Sequence, residues 1–146
     1  MGFALVWSLR RTPIFSPFVP SETVNVVLQV AALVLSISCL LLSMSAVREL
    51  GKQWSFQARL VEDHRLVTSG VYALVRHPIY TSMLGKLIAT GIVLSHWPVV
   101  LLAIVIFLIG TTIRTRLEEI LLTGAFGAEF ERWKAKVPAL IPGLRF

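Results

Sequence analysis

Three short stretches of the chain hold residue types that can grip a polar ligand. The first is Glu62-Asp63-His64-Arg65-Leu66-Val67-Thr68-Ser69-Gly70-Val71-Tyr72, the second Val75-Arg76-His77-Pro78-Ile79-Tyr80 and the third Arg114-Thr115-Arg116-Leu117-Glu118-Glu119. Taken singly, each part has an ordinary reading. Arg114 and Glu118 stand at i, i+4, which on a helix surface is an ion pair worth a few tenths of a kcal/mol. His77 can cap a helix, and Tyr72 and Tyr80 can anchor at a membrane interface. His64 and His77 lack the spacing of a zinc site, so no metal is expected. Pro78 is pre-organised for the first turn of a helix, and the N–H groups of that turn suit a carboxylate or a phosphate. Met together, the three stretches make one polar cluster of two basic, two acidic and several aromatic groups.

The elements between them decide whether they meet. An apolar region runs from Ile79 to Ile113 and is interrupted at Ser95-His96-Trp97-Pro98. It is too long for one membrane span, and the break supplies a polar tip, an interfacial aromatic and a helix-starting proline. This predicts a helical hairpin with spans at about 79–95 and 98–113, each arm covering roughly 24 Å. A hairpin returns both ends to one membrane face, which carries Arg76-His77-Pro78-Ile79-Tyr80 toward Arg114 and Glu118-Glu119. A further uncharged run, Thr23 to Val47, follows Pro20-Ser21-Glu22, ends at Arg48-Glu49 and is long enough to span.

Composition agrees. The 146 residues are 55% hydrophobic and 15% charged, with mean hydropathy +0.77, against roughly 25% charged in soluble domains. Disorder is excluded, and the composition is unlike that of an ordinary soluble globule. The net charge of +6 sits on membrane flanks instead of a solvated basic face, so no nucleic-acid partner is expected. The single cysteine, Cys39, excludes a disulfide framework. Arg48, Lys52, Arg59, Arg65 and Arg76 lie before the hairpin and Arg114, Arg116, Arg132, Lys134, Lys136 and Arg145 after it, while its tip has neither Lys nor Arg. The positive-inside rule therefore predicts cytoplasmic segments 48–78 and 114–146. The whole is expected to be one all-α integral membrane domain over 1–146, with membrane lipids around it.

The ends read differently. Residues 2–9 are apolar but too short to span, an interfacial anchor or a remnant of a longer helix. After Ile113 the last helix is expected to leave the membrane and stop at Gly124. A short helix from Ala128 to Lys136 then places Phe130, Trp133 and Val137 on one amphipathic stripe suited to the membrane interface. Pro138 and Pro142 keep the tail irregular.

The pattern His64-x-Leu66-Val67-Thr68-x-Gly70-x-Tyr72, Arg76-His77-Pro78-x-Tyr80, Arg114-x-x-x-Glu118-Glu119-x-x-Leu122, Phe126-Gly127 and Val137-Pro138-x-Leu140-Ile141-Pro142 resembles the isoprenylcysteine carboxyl methyltransferase family. Membrane phospholipid N-methyltransferases and small thiol methyltransferases are similar to the same pattern. The resemblance covers about Gly51 to Pro142. It implies an S-adenosylmethionine-dependent methyltransferase without a Rossmann domain, and no Gly-x-Gly-x-x-Gly stands here after a strand pattern. It further implies a cofactor pocket lined by His64, Leu66, Val67, Gly70, Tyr72, His77, Tyr80, Glu118 and Glu119. Two departures stand out. Gly70-Val71-Tyr72 replaces the family's Gly-Pro-Tyr, and Phe130 and Trp133 replace tyrosines.

Methyl transfer from a sulfonium is an in-line displacement that requires the nucleophile about 3–3.5 Å from the methyl carbon. A carboxylate or thiolate acceptor needs only a cation to orient it. Arg114 is the first candidate, held by Glu118 or Glu119, and Arg76 the second. An amine acceptor must lose a proton, which a glutamate such as Glu119 could take. The expected substrate is a lipophilic small molecule or a lipidated acceptor, most simply an isoprenylcysteine-like carboxylate. Phospholipid N- or small thiol S-methylation, an NADPH-dependent membrane reductase and a non-catalytic membrane scaffold are the alternatives.

Overall fold

The computed structural model describes residues 2–9, 22–51 and 65–143. Every regular element among the described residues is helical: α1 (Gly2–Ser8), α2 (Glu22–Leu50), a 3-10 turn (Gly70–Ala73), α3 (Pro78–Leu94), α4 (Trp97–Phe126) and α5 (Ala128–Lys134). The helices α2 and α4 are long and apolar enough to cross a membrane, and α3 is a shorter apolar helix.

The chain divides into two compact units, Met1–Leu40 with Ser82–Gly110, and Leu41–Thr81 with Thr111–Phe146. The reason α2 is one helix lies in its sequence. Glu22 to Leu50 has no glycine or proline, carries Glu22 in the first turn and Arg48 in the last, and so complements the helix dipole. Its serines do not compete with the backbone. Ser36 and Ser38 donate to the carbonyls of Ala32 and Val34 at 2.8 and 2.9 Å, which satisfies both hydroxyls without water. The helix is inside out by soluble standards. Ala32, Cys39 and Ala46 are buried at heptad spacing, while Val27, Leu33 and Leu41 are exposed.

In the first unit small residues allow close helix contacts. A Cβ on Gly85 of α3 would collide with Cys39 Sγ of α2, and one on Gly91 would lie 2.8 Å from both methyls of Val100 in α4. Only Ser95 and His96 separate α3 from α4. The short α1 belongs to this core. Val6 is fully buried with Leu87 and Ala103, and Phe3, Leu5, Leu94, Ile104 and Phe107 pack around them. The hydroxyl of Ser95 donates to the Leu9 carbonyl at 3.3 Å. One face of α1, with Val6, Phe3 and Leu5, therefore packs into the first unit, while Trp7 and Leu9 are exposed.

In the second unit, α4 runs through Gly124 to Phe126, and Gly127, at φ +50°, makes the turn into α5. The stripe of α5 faces protein. Phe130 is fully buried and Val137 nearly so, Phe130 meets Trp133 with ring centroids 5.7 Å apart, and Lys134 Nζ lies 5.8 Å over the Phe130 ring. This corrects the expectation of an interfacial stripe: periodicity marks the apolar side of a helix but not what covers it.

Candidate functional site

The site is assembled in the second unit, and its frame is main chain. Pro138 and Pro142 keep the tail after α5 from coiling, which leaves its carbonyls without helical partners. The residues just before α3 supply the donors. The Arg76 and His77 N–H groups donate to the carbonyls of Pro138 and Ala139 at 2.8 and 3.0 Å. Arg76 Nη1 donates to the carbonyls of Lys134 at 3.0 Å and Val137 at 2.6 Å, and Thr81 Oγ1 donates to that of Leu140 at 2.5 Å. The N–H groups of Arg76 and His77 are thus spent on the tail.

Two adjacent carboxylates of α4 then divide the remaining polar groups. Side chains one residue apart on a helix point about 100° apart, so Glu118 and Glu119 reach different partners. Glu119 is 13% exposed and Arg76 8%. Glu119 Oε1 accepts from Arg76 Nε at 2.9 Å and Nη2 at 2.8 Å, and its Oε2 pairs with Lys134 Nζ at 2.9 Å. Glu118 is more open. Its Oε1 accepts from the Tyr80 hydroxyl at 2.7 Å and Arg114 Nε at 3.1 Å. His77 bridges the two, with Nε2 3.3 Å from Glu119 Oε1 and Nδ1 3.6 Å from Glu118 Oε2. Burial alone would lower its pKa. Hydrogen bonds and charge from Glu118 and Glu119 outweigh that and hold it above the ordinary imidazole value of 6.5.

A third part is the turn that carries Tyr72. Gly70 has φ +57°, a conformation that L side chains avoid, and the Glu49 carboxylate at the end of α2 fills the space a Cβ would need. Ser69 Oγ donates to Glu49 Oε2 at 3.4 Å. Tyr72 is buried behind this turn, and burial, then the charges of Glu118 and Glu49, push its phenol upward from 10.

Of the residues singled out in the sequence, Arg76, His77, Tyr80, Arg114, Glu118 and Glu119 meet in one hydrogen-bonded group, and Tyr72 and Gly70 belong to the adjoining turn. Leu66 and Val67 lie half-buried before that turn; His64 lies outside the described residues. Arg76, considered as a possible acceptor-orienting cation, faces Glu119 and the tail. Two participants had no signal in the sequence reading. Lys134 completes Glu119, and Glu49 holds the Gly70 turn.

The geometry describes a helical membrane protein with a buried ionic group at the mouth of α3. Residues 27–124 match the isoprenylcysteine carboxyl methyltransferase family. The chain belongs to this family. Protein-S-isoprenylcysteine O-methyltransferase of Schizosaccharomyces pombe is 33% identical over 100 residues, 67% of this chain and 42% of the relative. The Mus musculus protein of that name is 36% identical over 91 residues (61% and 31%), and the Homo sapiens one 37% over 86 residues (58% and 30%). The solved structure of the eukaryotic intramembrane Ras methyltransferase, isoprenylcysteine carboxyl methyltransferase, superposes with TM-score 0.73 at 28% identity, covering 80% of this chain and 42% of that one. The chain thus spans less than half the length of these relatives.

Proposed function

We propose that this protein transfers a methyl group from S-adenosylmethionine to the carboxylate of an isoprenylcysteine-like acceptor in the membrane. The observation that carries the reading is the Glu118–His77–Glu119 group with Tyr80 and Arg114 on its open side, in a chain whose family relatives bear that activity in their names. The donor set fits such a cofactor, which presents both cationic and anionic ends. The negative charges of Glu118 and Glu49 both act on the Tyr72 phenol, a setting suited to a sulfonium or an ammonium. His64, Leu66, Val67, Gly70, Tyr72, His77, Tyr80, Glu118 and Glu119 would line the pocket, and the bound cofactor would supply the electrophilic methyl group.

The chain's own residues do the positioning. Arg114, 39% exposed and steadied by Glu118 through Nε, presents its guanidinium to the acceptor carboxylate, which needs no base. Glu119 and Arg76 act one step back, holding the tail and His77 in place. Cation and carboxylate lose charge as they react, so exclusion of water by the surrounding apolar side chains favours the transfer.

The proposed layout is a single membrane domain with spans at about 23–47, 79–95 and 98–113. The α3–α4 hairpin opens to the cytoplasm, and segments 48–78 and 114–146 lie on that side. The charged outer face of α5, with Glu129 and Arg132, faces water. Labelled S-adenosylmethionine binding to the purified protein, followed by transfer to an S-prenylated cysteine with a free carboxyl group, tests the function. Base-labile methyl ester is the expected product. Absence of cofactor binding overturns the reading, and methylation of a lipid amine or thiol in its place redirects the acceptor assignment. Cysteine labelling at positions 65 and 96 from opposite membrane sides tests the layout.

A further inference from the structure

Past Ile113, α4 keeps two different faces. Inward it carries Glu118, Glu119 and the buried Thr115. Outward, Ile113, Leu117 and Ile120 are 59%, 53% and 67% exposed, and Arg116 is exposed beside them. The spacing 113, 116, 117, 120 is one side of a helix. The three arginines of this region differ in their surroundings. Arg76 and Arg114 are tied to Glu119 and Glu118. Arg116 has no ion pair or hydrogen bond among the described residues: Glu118 points away from it, and Glu119, one turn on at i+3, has both carboxylate oxygens engaged by Arg76 and Lys134.

Length and charge identify what covers this face. Exposed apolar side chains run along α4 from Leu101 through Val105, Ile109, Ile113 and Leu117 to Leu121. That row is about 30 Å long, the thickness of a bilayer's hydrocarbon core. Arg116 sits about 7–8 Å before its end, where a long cationic side chain lies along the helix with its head reaching the phosphate layer. Aliphatic neighbours and a cation with no acidic partner among the described residues complement one molecule in particular, a phospholipid. We infer that Ile113, Arg116, Leu117 and Ile120 form a phospholipid site, the acyl chain lying on the three aliphatic residues and the phosphate on Arg116. Charge pattern alone put the helix exit at Ile113, because the inward face turns polar there. On this inference the span of α4 runs past the 113 of the layout above, its outward face staying in lipid for two more turns, to Leu121. The inference is independent of methyl transfer.

Its test reads lipid contact directly. In the full chain carrying Cys39→Ser, nitroxide labels are placed singly at Ile113→Cys, Leu117→Cys and Ile120→Cys. The protein is reconstituted in vesicles of phosphatidylcholine and phosphatidylglycerol, and collisions with oxygen and with a nickel chelate are compared. Oxygen should dominate at all three positions, with depth decreasing from 113 to 120. Native mass spectrometry should show phospholipid adducts on the unmutated protein that fall about fivefold in Arg116→Gln and largely persist in Arg116→Lys. Nickel dominating at 117 and 120 would mean water covers the face. Low collision with both reagents would mean protein covers it. Either result, or wild-type adduct levels in Arg116→Gln, overturns the site.

Discussion

Arg76 and Glu119, 43 residues apart in the chain, share a single carboxylate oxygen: Nε and Nη2 lie 2.9 and 2.8 Å from Oε1. The second oxygen is thereby left to Lys134 of α5 at 2.9 Å, while Nη1 of the same guanidinium holds the Lys134 and Val137 carbonyls. One buried arginine thus ties α4, α5 and the tail to the start of α3.

Removing either member leaves a buried charge without its partner. Arg76→Ala and Glu119→Ala should each cost about 3–5 kcal/mol of stability, and the double variant less than their sum, because the two share one network. Thermal unfolding in detergent, followed by the exposure of buried Cys39 to a thiol-reactive dye, measures this. Equal melting of Arg76→Ala and the parent would remove Arg76 from its holding role.

Arg114 belongs to a different category. A partly exposed i, i+4 pair with Glu118 contributes under about 1 kcal/mol, so Arg114→Ala should fold and bind S-adenosylmethionine normally. Loss of an acceptor-orienting guanidinium should slow single-turnover transfer by about 2–4 kcal/mol, roughly thirty- to a thousand-fold. Arg114→Lys should recover only part of that, having no planar fork. Near-normal turnover in Arg114→Ala would reduce the residue to a surface ion pair.

His77 should give stability a pH dependence of known sign. Its folded pKa is raised above 6.5 by Glu118 and Glu119. The contribution is therefore complete below about 6.5 and declines as pH rises through the folded value. Melting temperature measured upward from pH 6.5 should fall more steeply for the parent than for His77→Gln, which cannot be protonated. Parallel curves would show that the imidazole is not charged between the two carboxylates.

Gly70→Ala tests the turn beneath Tyr72. The left-handed conformation alone should cost about 1–2 kcal/mol, and the added methyl must also displace the Glu49 side chain. Shortening the neighbour in Gly70→Ala/Glu49→Ala should restore the steric part and leave the conformational part. Cofactor affinity and melting temperature of the single and double variants separate the two. A double variant as weak as the single one would mean Glu49 is not the obstacle.

The sequence carries the helices in plain form. Glycine-free apolar runs define α2, Pro78 marks the start of α3, and the short polar interval at Ser95-His96 implies that Arg76, His77 and Tyr80 share a neighbourhood with Arg114 and the glutamate pair. It says less about who holds whom. Glu118 and Glu119 look equivalent in a string, yet their different angles on α4 give one to Tyr80 and Arg114 and the other to Arg76 and Lys134. Lys134 and Glu49 could not be read at all, since neither stands at a spacing that ties it to its partner. The tail was equally silent, because a carbonyl acceptor has no sequence signature.

That silence has a counterpart in how the tail can vary. Lys134, Val137, Pro138, Ala139 and Leu140 are all grasped through their carbonyl oxygens, and at Ala139 and Leu140 the grip is indifferent to most of what the residue carries beyond the Cα. Side chains at 139 and 140 are free to drift through many types while Arg76 and Thr81 keep their partners. The segment is instead intolerant of a change in length: one residue inserted or deleted between Lys134 and Leu140 shifts the carbonyls past their donors and releases several contacts at once. Selection at this end of the molecule would act on insertions and deletions more than on substitutions.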